Sequence, residues 1–350
     1  MTTESSVSGG RDGEALDIER VDAWLRGQIE DLEGLPEVHQ YTHGASNWTY
    51  RLQYPDRALV LRRPPVGTKA KSAHNMVREF QLQAALKPLF PLIPQMLALC
   101  QDQDVLGCDF YVMEHLDGAV PGRRMPRDIE LDAASATQLC ENMIDTLVQL
   151  HQVDHTHPDI AALAPGTGYA RRQIDGWSER YRRARTWNVP KAEGVMRWLD
   201  QNVPNDERLC VVHNDFRLDN LVLDRSEPTQ IRGVLDWELA TVGDPLMDVG
   251  NSMAYWIEAG DDLLARSTRR QPSHLPGMLS RQAFVERYCE RMGFDPADWA
   301  FYEVYGLFRL AGIVQQIYYR YHHKQTRNPA FKRFWLFCNY LIYRANRARK

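Results

Sequence analysis

The hydrophobic period of this chain changes at about Gly118, and that change constrains the fold more than any other feature. Before it, β-branched and aromatic residues come in short runs broken by turn residues. "VHQYTHGASNWTYRLQYPDRALVLRRPP" reads as strand, Gly-containing turn, strand, "YPDR" turn and strand. After it, "ASATQLCENMIDTLVQLHQV", "GYARRQIDGWSERYRRARTW" and "YGLFRLAGIVQQIYYRYHH" repeat apolar residues every three or four positions, the signature of long helices. Strands first and helices afterwards predict an α+β chain with a β-rich N-terminal lobe and a mainly helical C-terminal lobe. The expected limits are a mobile polar tail over residues 1–17, a first lobe over 18–113, a hinge over 114–118 and a second lobe over 119–350.

Two helices are expected within the first lobe, at "IERVDAWLRGQI" and at "SAHNMVREFQLQAALKPL", the second stopped by Pro88. "VLGCDFYVMEHLDG" reads as a strand running into a turn. With 350 residues, 44% hydrophobic and 25% charged, the chain has material for a substantial core. A formal charge of -4 gives no global attraction to nucleic acid or anionic lipid. The six cysteines form no C-x-x-C pair and have no His at zinc-ligand spacing, which fits a reducing compartment. The most apolar stretch, "LKPLFPLIPQMLALC", is interrupted by Pro88, Pro91 and Pro94. A soluble, cytoplasmic protein without integral membrane contact is the expectation.

The chemistry concentrates in "CVVHNDFRLDNLVLD", residues 210–224. If its apolar ends are strands, Asp215 and Asn220 project from one loop, and Asp236 leaves the neighbouring strand in "RGVLDWE". Carboxylate and amide oxygens suit Mg²⁺, which takes only one or two protein carboxylates alongside substrate phosphates. The remaining carboxylate is then free to act as a base. H-x-D-x-x-x-x-N followed by a strand-borne Asp is also the spacing of protein-kinase catalytic loops. Upstream pieces agree with it in order. Gly44, Ser46 and Asn47 can present donors to phosphates, Arg62 occupies a third strand with Glu79 on the next helix, and Glu114 ends a strand leading into a hinge where adenine would meet backbone.

With these motifs the chain resembles the aminoglycoside phosphotransferase / choline-kinase-like family, most closely the branch related to acyl-CoA dehydrogenase-fused kinase domains. "GASNWTY", "LVLRRPP", "FYVMEHLDG", "VVHNDFRLDN" and "VLDWELATVGDPLMDVG" are among the carriers, and the likeness covers roughly residues 38–320. The resemblance implies a protein-kinase-like bilobal fold with ATP and Mg²⁺ as cofactors. Asp215 would be catalytic, Asn220 and Asp236 the metal ligands, and Arg62 with Glu79 the phosphate-anchoring pair. The implied activity is transfer of the γ-phosphoryl group to a hydroxyl of a small molecule. Asn214 stands where the family usually has Gly, and His43 where a second Gly is common. A bulkier residue can alter a turn that needs positive φ, so a catalytically weak nucleotide-binding pseudokinase is one alternative. An aminoglycoside- or choline-type kinase is another, and a phosphohydrolase using the same carboxylates is a third.

Other polar groups have plainer readings. His213 is scaffold; Arg217 and Asp219 are a local ion pair. Asp244 and Asp248 are turn and capping residues, and His151, His155 and His157 lie on the surface. "GTKAKS" lacks the full P-loop spacing and is a connector. From Arg171 to Arg185, six arginines face only Asp175 and Glu179. They make a solvated helix face or a site for a hydroxyacyl or other anionic acceptor, a CoA-linked one included.

Overall fold

The computed structural model describes residues 16–41, 47–65, 75–164, 166–204 and 208–349. His43, Gly44, Ser46, the "GTKAKS" connector and all but the last two positions of the expected tail lie outside the described residues. The chain forms two compact units. One runs to Gly118 and takes in Arg232–Glu238, and the other comprises Ala119–Ile231 and Leu239–Lys350.

The first unit holds helix α1 (Ile18–Leu25), strands β1 (Glu37–Tyr41), β2 (Trp48–Gln53) and β3 (Ala58–Arg63), helix α2 (Met76–Leu86), strand β4 (Met96–Cys100), the short helix α3 (Gln103–Leu106) and strand β5 (Phe110–Glu114). Five antiparallel strands form one sheet in the order β1-β2-β3-β5-β4, with Tyr50 opposite Leu61 and Leu61 opposite Val112. Side chains alternate across a strand, so each face collects its own core. Tyr50, Leu52, Leu59, Leu61, Phe110 and Val112 pack with Val21 and Leu25 of α1. Val60, Tyr111 and Met113 pack with Met96 and with Met76 of α2. Arg62 shares the parity of Val60 and is carried towards α2. That helix starts at the Asn75 cap, whose side chain accepts from Arg78 N at 2.9 Å, and buries Met76, Glu79, Leu82, Gln83 and Leu86 along one stripe. Strand β4 was not expected; it forms immediately beyond the three prolines that break up the apolar stretch.

The second unit contains helices α4 (Ala133–His151), α5 (Pro158–Ala161), α6 (Tyr169–Arg183) and α7 (Glu193–Gln201), then strands β6 (Cys210–Val212), β7 (Leu221–Leu223) and β8 (Ile231–Val234), the last entering the first unit at Arg232. Strand β9 (Thr241–Gly243) and helices α8 (Pro245–Ala254), α9 (Leu263–Ser267), α10 (Arg281–Met292), α11 (Trp299–His322) and α12 (Phe334–Ala348) complete it. Helix α11 is the axis of this core and buries Tyr305, Phe308, Arg309, Gly312 and Tyr318 among others. It crosses α8 where a methyl group on Gly306 would collide with the carbonyl of Gly250, so only glycine lets the two backbones approach. That crossing fixes α8 beneath strand β6, which pairs antiparallel with β9 through Cys210 and Gly243. Among the described residues no helix is long and apolar enough to cross a membrane. All six cysteines are free thiols.

Candidate active site

In the first unit, Arg62 is 8% exposed and collects three carboxylates. Its Nε lies 3.4 Å from Glu79 Oε1, and its Nη2 meets Asp236 Oδ1 and, at 3.2 Å, Glu238 Oε2. Asn47 Nδ2 donates to Glu238 Oε2 at 3.0 Å, and the Tyr111 hydroxyl donates to Glu79 Oε1 at 2.8 Å. Burial would pull the Arg62 guanidinium down, but Asp236, Glu79 and Glu238 hold it well above its ordinary value. Burial pushes the Glu79 carboxyl up, against the opposing pull of Arg62 and of the Tyr111 hydrogen bond. Asp236 sits at φ 68°, a left-handed conformation that costs a non-glycine residue about 1–2 kcal/mol. Local strain of this kind persists where surrounding contacts over-determine it, and Arg62 supplies one.

In the second unit, the loop between β6 and β7 is built around a buried acid. Asp248 of α8 is fully buried and accepts from the His213 amide at 2.7 Å and the Asn214 amide at 2.8 Å. His151 Nε2 lies 3.2 Å from Asp248 Oδ2, and its Nδ1 lies 2.5 Å from the Tyr288 hydroxyl. Burial alone would raise the Asp248 carboxyl. The His151 hydrogen bond, the imidazoles of His151 and His213 and the loop amide bring it below its ordinary value. Asp248 is therefore an anchor for the loop rather than the capping residue expected, while Asp244 does cap α8 by accepting from Met247 N at 2.9 Å. His151, expected on the surface, is 4% exposed. Its position on the last turn of α4, facing the Asp248 side, was not visible in a local pattern of histidines.

Asn214 takes φ 66°, the conformation that makes glycine usual at this place. Its side chain is fitted to that turn: Oδ1 accepts from the Tyr169 hydroxyl and from Asn251 Nδ2, each at 3.0 Å, and Nδ2 donates to Leu239 O at 3.0 Å. Its carbonyl accepts from Arg309 Nη2, also at 3.0 Å. The next residue, Asp215, is held on both carboxylate oxygens, by Arg217 Nε at 3.2 Å and Asn220 Nδ2 at 3.1 Å. Asn220 also donates to Asp215 O at 2.8 Å, and Arg217 reaches Asp219 at 3.2 Å. His213 is fully buried and its Nδ1 accepts from the Asp215 amide at 3.2 Å, a scaffold contact.

The donor chemistry suits a hard divalent cation. The amide oxygen of Asn220 has no hydrogen-bond partner among the described residues. Also among them, no group of three or more His, Cys, Asp or Glu could hold a metal unaided. That is the normal condition for Mg²⁺, which draws the rest of its ligands from phosphate and water. Of the other residues singled out in the sequence, Glu114 forms a strand-end tie, its amide donating to Gln95 O at 2.9 Å and its carboxylate accepting from Gln95 N at 3.0 Å. Glu114 to Asp117 line a hollow with Arg232 in the same unit.

Known proteins share this architecture. Mouse acyl-CoA dehydrogenase family member 10 is 35% identical over 309 residues, 87% of this chain but 28% of that protein. The chain thus spans under a third of that relative. A Ralstonia eutropha JMP134 protein solved under the aminoglycoside phosphotransferase heading superposes with a TM-score of 0.77 at 29% identity, covering 95% of this chain and 99% of that one. An aminoglycoside phosphotransferase solved with AMP-PNP and hygromycin B shares the fold at 13% identity, with a TM-score of 0.59 and coverage of 94% and 98%. The profile of the phosphotransferase enzyme family matches residues 37–293, which take in both the Arg62 cluster and the Asp215 loop. With its sheet-borne arginine, its anchored H-x-D-x-x-x-x-N loop and its kinase-like pair of units, the chain belongs to that family.

Proposed function

We propose that this protein transfers the γ-phosphoryl group of ATP to a hydroxyl of a small-molecule acceptor. The observation that carries the reading is the Asp215–Asn220 pair. One amide nitrogen fixes the Asp215 carboxylate, and the same side chain leaves its oxygen available to a cation.

Phosphoryl transfer asks mainly for positioning and charge neutralisation. Asp215 accepts the proton of the acceptor hydroxyl as its oxygen bonds to the γ-phosphorus and the bond to the ADP leaving oxygen breaks. Its orientation comes from Arg217 and Asn220, and theirs from a loop tied through two amides to Asp248. Arg62 receives phosphate oxygens, with Glu79 holding its stem end. Asn47 steadies Glu238, and Gly44 and Ser46 supply further donors. Glu114 marks the strand end beyond which backbone meets adenine. Asn220 and Asp236 would hold Mg²⁺, which supplies neutralisation of the charge on the phosphate oxygens. Arginine in place of lysine makes the phosphate contact bidentate and keeps it charged at high pH.

The fit of Asn214 to its left-handed turn favours an active enzyme over a nucleotide-binding pseudokinase. The acyl-CoA dehydrogenase name of the mouse relative favours a hydroxyacyl or other anionic acceptor over a polycationic antibiotic. The test is incubation with γ-labelled ATP, Mg²⁺ and a metabolite extract, followed by mass spectrometry of whatever gains phosphate. Asp215→Ala is expected to keep nucleotide affinity and to lose transfer by about 10²–10⁴-fold. Unchanged turnover in that variant would remove Asp215 from the reaction.

A further inference from the structure

Gln271 stands in "RRQPSH", a stretch of the second unit with neither helix nor strand, where a polar side chain ordinarily faces water. It is 1% exposed. A buried primary amide needs partners for its oxygen and its nitrogen, and Gln271 finds them on two separate segments. Its Oε1 accepts from the Leu218 amide at 2.9 Å, and its Nε2 donates to Tyr255 O at 3.3 Å. The stretch it projects from is itself fixed, because the Ser273 hydroxyl accepts from Ile257 N at 3.1 Å and donates to Ile257 O at 2.9 Å.

The Leu218 amide opens a single 3₁₀ turn, Leu218–Asn220, within the loop that carries Asp215. The first amide of a turn has no partner inside it, and Leu218 is fully buried, so without Gln271 this N–H would be stranded away from water. The same turn ends on Asn220, whose Nδ2 donates to both the carbonyl and the carboxylate of Asp215. Leu218 and Asn220 are two residues apart in one turn, so a hold on the first is felt at the second. Tyr255 acts one residue earlier. The Arg217 guanidinium carbon lies 4.5 Å from the centre of its ring, and Arg217 Nε lies 3.2 Å from both Asp215 Oδ1 and Asp219 Oδ1. Tyr255 itself follows the last turn of α8, the helix that presents Asp248 to the amides of His213 and Asn214. The hydrogen bond from Gln271 to its carbonyl closes a circuit that runs from Gln271 through Leu218, Arg217 and the Tyr255 ring back to Gln271.

We propose that Gln271 and Tyr255 are positioning residues for the transfer step, a clamp that sets the second half of the catalytic loop as Asp248 sets the first. Asp248 holds the amides of residues 213 and 214, and the clamp holds residues 217 and 218, so Asp215 is fixed between two points. Both residues act through Leu218 and Arg217 rather than on substrate. A displacement of about 1 Å at a reacting group costs about 10²-fold in rate, which gives such a clamp its leverage. The role in transfer rests on the phosphotransferase reading; the contacts do not.

The full-length wild type and four variants are assayed with γ-labelled ATP and Mg²⁺ against one fixed metabolite extract, with ATP varied. Gln271→Met keeps the length of the side chain and removes both hydrogen bonds. Its maximal rate is expected to fall about 10-fold, with the apparent KM for ATP within about 2-fold of wild type. Tyr255→Leu is expected to lose about 5-fold in maximal rate, and Tyr255→Phe to regain most of that loss, because the ring face carries the guanidinium. Ile342→Val, which removes one buried methyl group from α12, controls for general loosening and is expected to turn over as the wild type does. Residue-resolved hydrogen exchange on the same proteins gives a readout independent of turnover. Gln271→Met is expected to speed exchange at the Leu218 amide about 10-fold or more and to leave the His213 and Asn214 amides as they are. A Gln271→Met protein with the wild-type maximal rate would overturn the positioning role, as would a rate loss accompanied by equally faster exchange at all three amides or a phenylalanine no better than leucine. A wild type that transfers no label overturns the phosphotransferase reading and the positioning role with it, even where the Leu218 amide responds as expected.

Discussion

The two units treat buried charge in opposite ways. In the first, one guanidinium sits among Glu79, Asp236 and Glu238; in the second, Arg180 and Arg309 share one indole with no carboxylate in hydrogen-bond reach among the described residues, and the buried carboxylate Asp248 is given to backbone amides. The first gathers carboxylates around one cation, the second gathers cations around one aromatic ring. Concentrating buried charge of one sign is a poor way to stabilise a fold, and such places cluster at functional sites.

Removing the arginines one at a time tests that contrast most strongly. Arg62→Met leaves carboxylates facing each other without their cation, and a loss of about 3–5 kcal/mol is expected in urea unfolding. Arg309→Met removes a buried guanidinium that donates to the Asn214 carbonyl, and a loss of about 1–2 kcal/mol is expected. Equal losses would break the comparison. Asp248→Asn comes next, with a loss of about 2–3 kcal/mol near neutral pH. The Asp248 carboxyl is depressed in the folded state, so its contribution is present above the unfolded range, about pH 4, and disappears as pH falls through the folded value. Unfolding midpoints of wild type and variant should therefore converge in acid, and a gap that persists there would mean the charge is not what anchors the loop. The smallest effect separates backbone from side chain at Asn214. Asn214→Gly keeps the left-handed turn and loses three side-chain hydrogen bonds, whereas Asn214→Ala loses both, so alanine should be less stable than glycine by about 1–2 kcal/mol in thermal unfolding.

The sequence analysis reached furthest where a local pattern carries the information. Alternation in "ALVLRR" and the three- and four-residue spacing of α4, α6 and α11 specify elements by themselves. The loop from His213 to Asn220 was legible because its polar residues interrupt two apolar strands. Asp248 and His151 were not legible, since their partners lie 34, 35 and 97 residues away and each residue alone has an ordinary reading. A helix with six arginines reads as one basic face, yet Asp200 and Glu193 each pair with one of them and local carbonyls take hydrogen bonds from two more. What distinguishes Arg180 is the absence of an acceptor among the described residues, and composition cannot report that.

The tie between Asp248 and the amides of His213 and Asn214 has a kinetic side. Those two protons point into a carboxylate that is itself sealed under α8, and α8 is locked to α11 at a glycine crossing with no slack. They can trade with deuterium only when that helix pair parts, so their exchange rate is a clock for the opening of the whole helical unit rather than of the loop that carries them.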